Sequence, residues 1–436
     1  MSRTSRPDRV KPGRAPKAHT PKAFEAEHAR TRSRFATPAV RWLVLAACVL
    51  SLIGWVGLIW LRAHNEKQQS TIAQRCRHAQ MDGDWPRMEE LARQWATWQP
   101  KKSEPWIYAA EAAKHMNNPV VEAEYLSRIG NDAPRTAFYE LGRLQMEVLN
   151  QPRAAVQTCL RTLKLFPNDS ESHVRLLFYY SMTCQSKAVI SESRRAIEVG
   201  GDVLPTYGHL LSARWLTYKN GFEVNSLWLE NEPDSELYYV AAIAHLISNR
   251  ELLGMPQESN ATEQEPTIPM EIFEAKVREG IERYPKNVEL QAVALARLCQ
   301  AGDVEAVAKA LATASAETAN DNRFWRYTGW FHSAKEQWSE AIKAYEHALS
   351  IDPFDWATQH ELATALRLSD DFSAAAAMQQ RATLGKDLSR SLSLAPRMDA
   401  LSESIMLKMA EYFEVCGDKP TAERLRYRLS HPQPAL

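Results

Sequence analysis

Proline returns along this chain at a nearly constant interval, and that interval constrains the fold more than any other feature. Pro100, Pro134 and Pro167 follow one another at a step of about 34 residues, a length typical of stacked helix pairs. From Pro167 to Pro233, and again from Pro285 to Pro353, the step is doubled. Only the step from Pro233 to Pro285 breaks phase, and it contains residues 254–270, a Gly/Pro/Glu-rich stretch without helical pattern. Removing that stretch restores a step of about one period, so it is expected to be an inserted loop in an array whose period runs through it. Proline suits such a joint because it stops one helix and is tolerated in the first turn of the next.

From residue 65 onward apolar residues recur at helical spacing, with no strand-like alternation. Gly83-Asp84, Gly302-Asp303 and Gly417-Asp418 mark tight turns within the units. Glycine takes the left-handed position that closes one helix, and aspartate accepts the free amides that open the next. The unit is therefore helix–turn–helix. One such pair buries too little apolar surface to fold alone, so units must stack.

Residues 322–355 carry the sharpest signature, with Trp325, Gly329, Ala341, Tyr345, Ala348 and Pro353 at fixed offsets; residues 356–389 follow in phase with Leu362, Ala363, Ala375 and Ala382. On these residues the chain resembles the tetratricopeptide repeat (TPR) family. Thr328 and His332 replace the family's usual leucine and tyrosine, Gln379 and Asp387 replace its aromatic and proline, and residues 66–320 match only loosely. The resemblance implies an all-α fold, a right-handed α-solenoid of about ten TPR-like helix–turn–helix pairs. Gly329 and Ala363 would then be small so that paired helices can approach, while Trp325, Tyr345 and Ala348 fill the space toward the next unit. The expected division is a degenerate N-terminal half at 65–253, the loop at 254–270, and a C-terminal half at 271–436 ending in a capping pair at 399–430. Arg424, Arg426 and Arg428 suit a cap whose outer side faces water.

Ahead of the array, residues 42–61 form twenty positions without a charge, bracketed by Arg41 and Arg62. As a helix they would reach about 30 Å, the thickness of a hydrocarbon core, with Trp42 and Trp60 at the ends where indole favours the interface. The run is longer than a signal-peptide core and ends in bulky Ile59, Trp60 and Leu61. Residues 1–41 hold eleven Lys/Arg against three acids, and Pro7, Pro12, Pro16 and Pro21 forbid an amphipathic transit helix. The reading is a disordered basic cytoplasmic arm, one transmembrane helix, and a solenoid on the periplasmic or exoplasmic side. Ala47, Ser51 and Gly54 share one helical face, along which two copies could approach as a homodimer.

The chain totals 53 basic and 53 acidic residues, so the part beyond the arm holds 42 against 50 and is net acidic. That balance argues against a nucleic-acid groove. None of the six cysteines stands at C-x-x-C spacing; they read as small buried residues, with a Cys159–Cys184 bridge left open for an oxidising compartment. Phosphate-loop, dinucleotide and nucleophile-elbow motifs are absent from the sequence. His360-Glu361 begins a zinc-protease motif, but Thr364 stands where the second histidine is required. No catalysis, cofactor or metal is expected.

The family resemblance implies a peptide groove, and its positions fall on Arg323, Arg326 and Trp330, then His360, Thr364 and Arg367. That groove is weakly basic and suits an acidic peptide or terminal carboxylate, although the family's lysine–asparagine carboxylate clamp is absent. The expected function is a non-catalytic, membrane-anchored scaffold or adaptor for a protein partner, in assembly or secretion on the exoplasmic face. The alternatives are a transmembrane regulatory or sensory protein with the solenoid as sensor, and the non-catalytic subunit of an enzyme complex.

Overall fold

The computed structural model describes residues 38–213, 218, 220–253, 270–394 and 401–431. Of the expected basic arm at 1–41, residues 1–37 lie outside the described residues, as do residues 254–269 of the expected inserted loop at 254–270; residues 38–41 and Met270 are helical. Among those described there are twenty α-helices and no strand. In pairs these are α1 (Pro38–Asp82) and α2 (Trp85–Trp98), α3 (Ser103–His115) and α4 (Pro119–Ser127), α5 (Arg135–Arg143) and α6 (Pro152–Leu165), and α7 (Ser170–Met182) and α8 (Ser186–Val199). Next come α9 (Leu204–Ser212) and α10 (Gly221–Asn231), then α11 (Glu236–Leu253) and α12 (Met270–Arg283). The last four pairs are α13 (Val288–Gln300) and α14 (Val304–Ala312), α15 (Asn322–Ala334) and α16 (Trp338–Ile351), α17 (Trp356–Leu368) and α18 (Phe372–Leu394), and α19 (Glu403–Val415) and α20 (Lys419–Ser430).

The chain divides into two compact units, residues 1–75 and 76–436. The described part of the first is the greater length of α1. Its apolar run is not a separate span; it is the early part of one 45-residue helix that continues through Arg62 and polar sequence to Asp82. Among the described residues no helix is long and apolar enough to cross a membrane. This corrects the single-pass placement expected for residues 42–61, the cytoplasmic and exoplasmic sides assigned from it, and the membrane contact expected through that helix. Trp42, Trp55 and Trp60 are 73%, 71% and 65% exposed on this helix.

In the second unit a backbone feature keeps the period. Gly83, Asn117, Asn150 and Cys184 all have positive φ and follow one another at about one repeat length; Gly302, Glu336 and Asp370 do the same, and Gly417 closes the series. Each left-handed residue ends a first helix and turns the chain back along itself. Where the next residue is Asp84, Asn118, Asp303, Asp371 or Asp418, its side chain accepts an amide of the second helix at 3.0–3.3 Å. Within a pair the helices lie close. A Cβ on Gly329 would stand 2.4 Å from Cε1 of Tyr345, so only glycine lets α15 meet α16 there. Ala341, Tyr345 and Ala348 on the facing side of α16 are 0%, 2% and 0% exposed.

The stack does not run on as a simple line. Trp228 of α10 and Tyr238 of α11 pack with Tyr179 of α7 and Leu163 of α6, so the chain continues from α7 through α10 and α11. Meanwhile Tyr207, Leu210 and Leu211 of α9 join Met409 and Phe413 of α19 and Leu425 of α20 in one apolar core. Phe354 meets Phe413 edge-on at 5.1 Å in the same core. Polar contacts reinforce this closure. Asp202, 0% exposed in the α8–α9 connection, accepts from Arg428, Arg424 and Tyr207, and Arg194 of α8 pairs with Asp418 at 2.5 Å. The last helix pair thus docks on the middle of its own chain. That corrects the water-facing arginines expected of a cap: Arg424 and Arg428 face Asp202, and Arg426 alone is exposed, against Glu414 at 2.5 Å.

Candidate functional site

The first helices α13, α15 and α17 touch one another in series, while the second helices α14, α16 and α18 make no comparable contact among themselves. First helices therefore line the tighter, inner side of the stack. Their N-caps are Asn287, Asp321 and Asp355, the same position in three successive repeats. Asn287 and Asp355 each accept two of the opening amides of their helices, and Asp321 accepts that of Arg323. The caps place the next residues at a common height on the inner face.

Charged groups link these helices. Arg323 reaches back to α13 as a fork, Nη1 and Nη2 donating to Glu289 at 2.6 and 2.7 Å, and also donates to Asp321. Arg326 turns the other way, 3.8 Å from Asp355 and 4.0 Å from Glu361. Asn322 donates to Asp355 at 2.9 Å, and Thr358 donates to the same oxygen at 2.6 Å. Burial works against the charge on Arg323, yet Glu289 and Asp321 hold its guanidinium well above the ordinary value. For Glu361 burial wins: it pushes the carboxyl up to about 7 against the pull of Arg326.

Of the six groove residues expected from the sequence, Arg323 and Arg326 are brought together in this ladder and are 18% and 23% exposed. Trp330 is half-buried against the core of Val307 and Phe324. His360 and Arg367 are exposed on α17, and Thr364 between them donates to the His360 carbonyl at 3.1 Å. The repeat-signature residues sit in the packing: Leu362, Ala363, Ala375 and Ala382 are buried, Trp325 donates to the Ala319 carbonyl at 2.9 Å with its ring against His347, and the Pro353 carbonyl accepts from Gln359 at 2.7 Å. The sequence did not point to Glu289, Asp321, Asp355 or Glu361. One signal was present, since Glu289 and Arg323 occupy one position of successive repeats with opposite charge. With these acids included the strip is mixed rather than basic: Glu289, Asp321, Asp355 and Glu361 stand among Arg323, Arg326 and Arg367.

A second concavity of about 780 Å³ lies between α2 and α4. Its floor is already occupied, because the Arg128 guanidinium lies 4.9 Å over Trp106 and Tyr125 donates to Glu89. All six cysteines are free. Burial raises the thiols of Cys159 and Cys299 to about 12 and of Cys76 and Cys416 to about 11, the environment of packing residues rather than nucleophiles. Among the described residues no three His, Cys, Asp or Glu side chains are grouped to hold a metal ion.

No protein-family model and no curated protein matches this chain. Among solved structures, a human IFIT1 dimer with m7Gppp-AAAA is similar at a TM-score of 0.31 and 12% identity, over 82% of this chain and 89% of that one. The Cut9–Hcn1 hetero-tetramer of the APC/C is similar at 0.30 and 10%, over 84% and 80%, and yeast Tom70 at 0.27 and 12%, over 84% and 85%. Likenesses this loose bear on neither partner nor chemistry, and the helix-pair architecture rests on the helices described above.

Proposed function

We propose that this chain is a non-catalytic scaffold that holds a protein partner along the inner face formed by its first helices, as the TPR resemblance of residues 322–389 implies. The observation that carries the reading is the series α13, α15 and α17, whose inner sides follow one another in contact and carry polar side chains from Glu289 to Arg367. A strip of this kind offers an extended segment repeated polar contacts at one repeat spacing, which is how stacked helix pairs recognise partners. The charge ladder keeps successive first helices in register, so the strip is preorganised before anything binds.

The test is site-directed photocrosslinking in the native host. A crosslinking residue at exposed His360 or Arg367 should give a discrete adduct mapping to one partner segment, and the same group at exposed Lys343 or Glu346 on α16 should not. Equal labelling from both faces, or no adduct from the inner one, sinks the reading.

A further inference from the structure

The last turn of α7 is where the stack branches, because α9 and α11 both come against it. Each is held there by one buried histidine. His245 of α11, 0% exposed, has Nε2 at 2.8 Å from the Met182 carbonyl, and its Nδ1 accepts the Tyr218 amide at 3.3 Å. A ring nitrogen that accepts an N–H carries no proton, so this geometry fixes the imidazole in its neutral form. His209 of α9, 4% exposed, has Nδ1 at 3.0 Å from the hydroxyl of Ser181, the residue before Met182. The Tyr218 hydroxyl also bonds to Ser181, and Asn225 of α10 donates to the Met182 carbonyl at 2.9 Å. The two histidines thus share one buried polar cluster. The His245 ring is also wedged in place, since a Cβ on Gly221 would stand 2.3 Å from its Cγ.

We propose that this junction is an acid-operated joint, in which protonation of His209 and His245 parts α9 and α11 from the end of α7 while the repeats on either side stay folded. A second proton on His245 must go to Nδ1, where it meets the Tyr218 N–H and breaks a bond that seats α11. A proton on His209 leaves a buried cation beside a neutral hydroxyl. Among the described residues no charged group of α7, α8, α18, α19 or α20, the helices packed on α9, acts on His209. Facing His245 are Glu223 of α10, the Tyr218 ring at 6.1 Å and the Cys184 thiol at 3.7 Å, and neither α12 nor α13 sets a charge on it. Glu289 of α13 and Arg323 of α15 act on the Cys184 thiol, which burial keeps neutral. Burial lowers His209 to about 4, and lowers His245 against the Met182 carbonyl and Glu223. Opening returns each ring to its ordinary value near 6.5, so the open form gains as pH falls below that. For His209 alone the gain from about pH 7 to pH 5 is about twentyfold. The Asp202 clasp stays shut in this window, because Arg428 and Arg424 outweigh burial and hold its carboxyl far below the usual range. On opening, α9 therefore keeps α19 and α20.

The experiment is hydrogen exchange of the full chain at about pH 7 and pH 5, read peptide by peptide as opening equilibria corrected for intrinsic rate. Residues 176–185, 204–212 and 236–247 should open about twentyfold more at the lower pH, while 322–351 and 419–430 change by less than about threefold. In H209Q, whose amide can bond to Ser181 but takes no proton, the rise at 204–212 should shrink by about tenfold. H245Q should shrink the rise at 236–247 in the same way. Should H245Q fail to fold by circular dichroism, H209Q carries the comparison alone. An equal rise at 322–351 overturns the proposal in favour of general acid unfolding. No rise at the junction overturns it as well, and so does a rise that H209Q leaves whole.

Discussion

Arg428 meets Asp202 with two donors, Nε at 2.8 Å and Nη2 at 2.7 Å, across 226 residues of chain. Arg424 adds a contact at 2.9 Å and the Tyr207 hydroxyl one at 2.6 Å, so a single fully buried carboxylate is served by three side chains. Burial alone would raise this carboxyl. The hydrogen bonds from Arg428, Arg424 and Tyr207 outweigh it and hold the group far below the usual carboxylate range.

Asp202→Ala removes the acid and leaves Arg428, itself 8% exposed, without its main counter-charge. Breaking a buried pair from one side costs about 3–5 kcal/mol, and the loss should appear as a lower urea midpoint. The pH dependence has a definite sign: the contribution of a depressed carboxyl is present above about pH 4, its unfolded value, and is lost as pH falls below that. The variant should therefore show a shallower acid limb. An unchanged midpoint and acid limb would mean that Asp202 does not hold the C-terminal pair.

The left-handed turn residues offer a gain in stability. Glu336 is exposed, has φ 59°, and receives none of the freedom that glycine has at the matching Gly302, φ 72°. Glu336→Gly should stabilise the fold by about 0.5–1 kcal/mol, and Gly302→Ala should cost about 1 kcal/mol. Paired thermal melts decide it. Opposite signs support the strain at Glu336, and a destabilised E336G refutes it.

His209 lies 4% exposed on α9 with Nδ1 3.0 Å from the Ser181 hydroxyl, and burial lowers it to about 4. A histidine kept neutral in the folded chain stabilises fully above about pH 6.5 and less as pH falls toward its folded value. Between about pH 7 and pH 5 the loss from this one group should be about 2 kcal/mol. His209→Gln should flatten that slope in denaturant titrations at the two pH values. The part that persists belongs in some measure to His245, which burial also lowers.

Much of the architecture was legible because helix punctuation is local. Prolines and Gly-Asp turns disclose a repeating helix pair, since each acts on the backbone within a turn of itself. The same turn at Asn117, Asn150, Cys184, Glu336 and Asp370 was not legible, because nothing marks these residues as left-handed until packing forces them to be. The candidate site was half legible for a similar reason. Position within the repeat named Arg323 and Arg326, but the acids that pair with them, Glu289, Asp321, Asp355 and Glu361, lie on neighbouring elements. The apolar run at 42–61 is where expectation and structure part: it lies within one 45-residue helix, and among the described residues no helix is long and apolar enough to cross a membrane.

The docking of α19 and α20 on α9 also bears on how the chain comes to be folded. An open array of helix pairs has near-neighbour contacts only, so it can nucleate anywhere and fray from either end. Here one end is fastened to the middle, and that contact closes a loop of more than two hundred residues, from Asp202 to Arg428. Loops of that length form late and slowly. On the ribosome the last pair cannot find its seat until α8 and α9 have already been built. Once seated, it removes a free end from which unfolding could begin, so the C-terminal half should melt together with the middle of the chain rather than peel away one pair at a time.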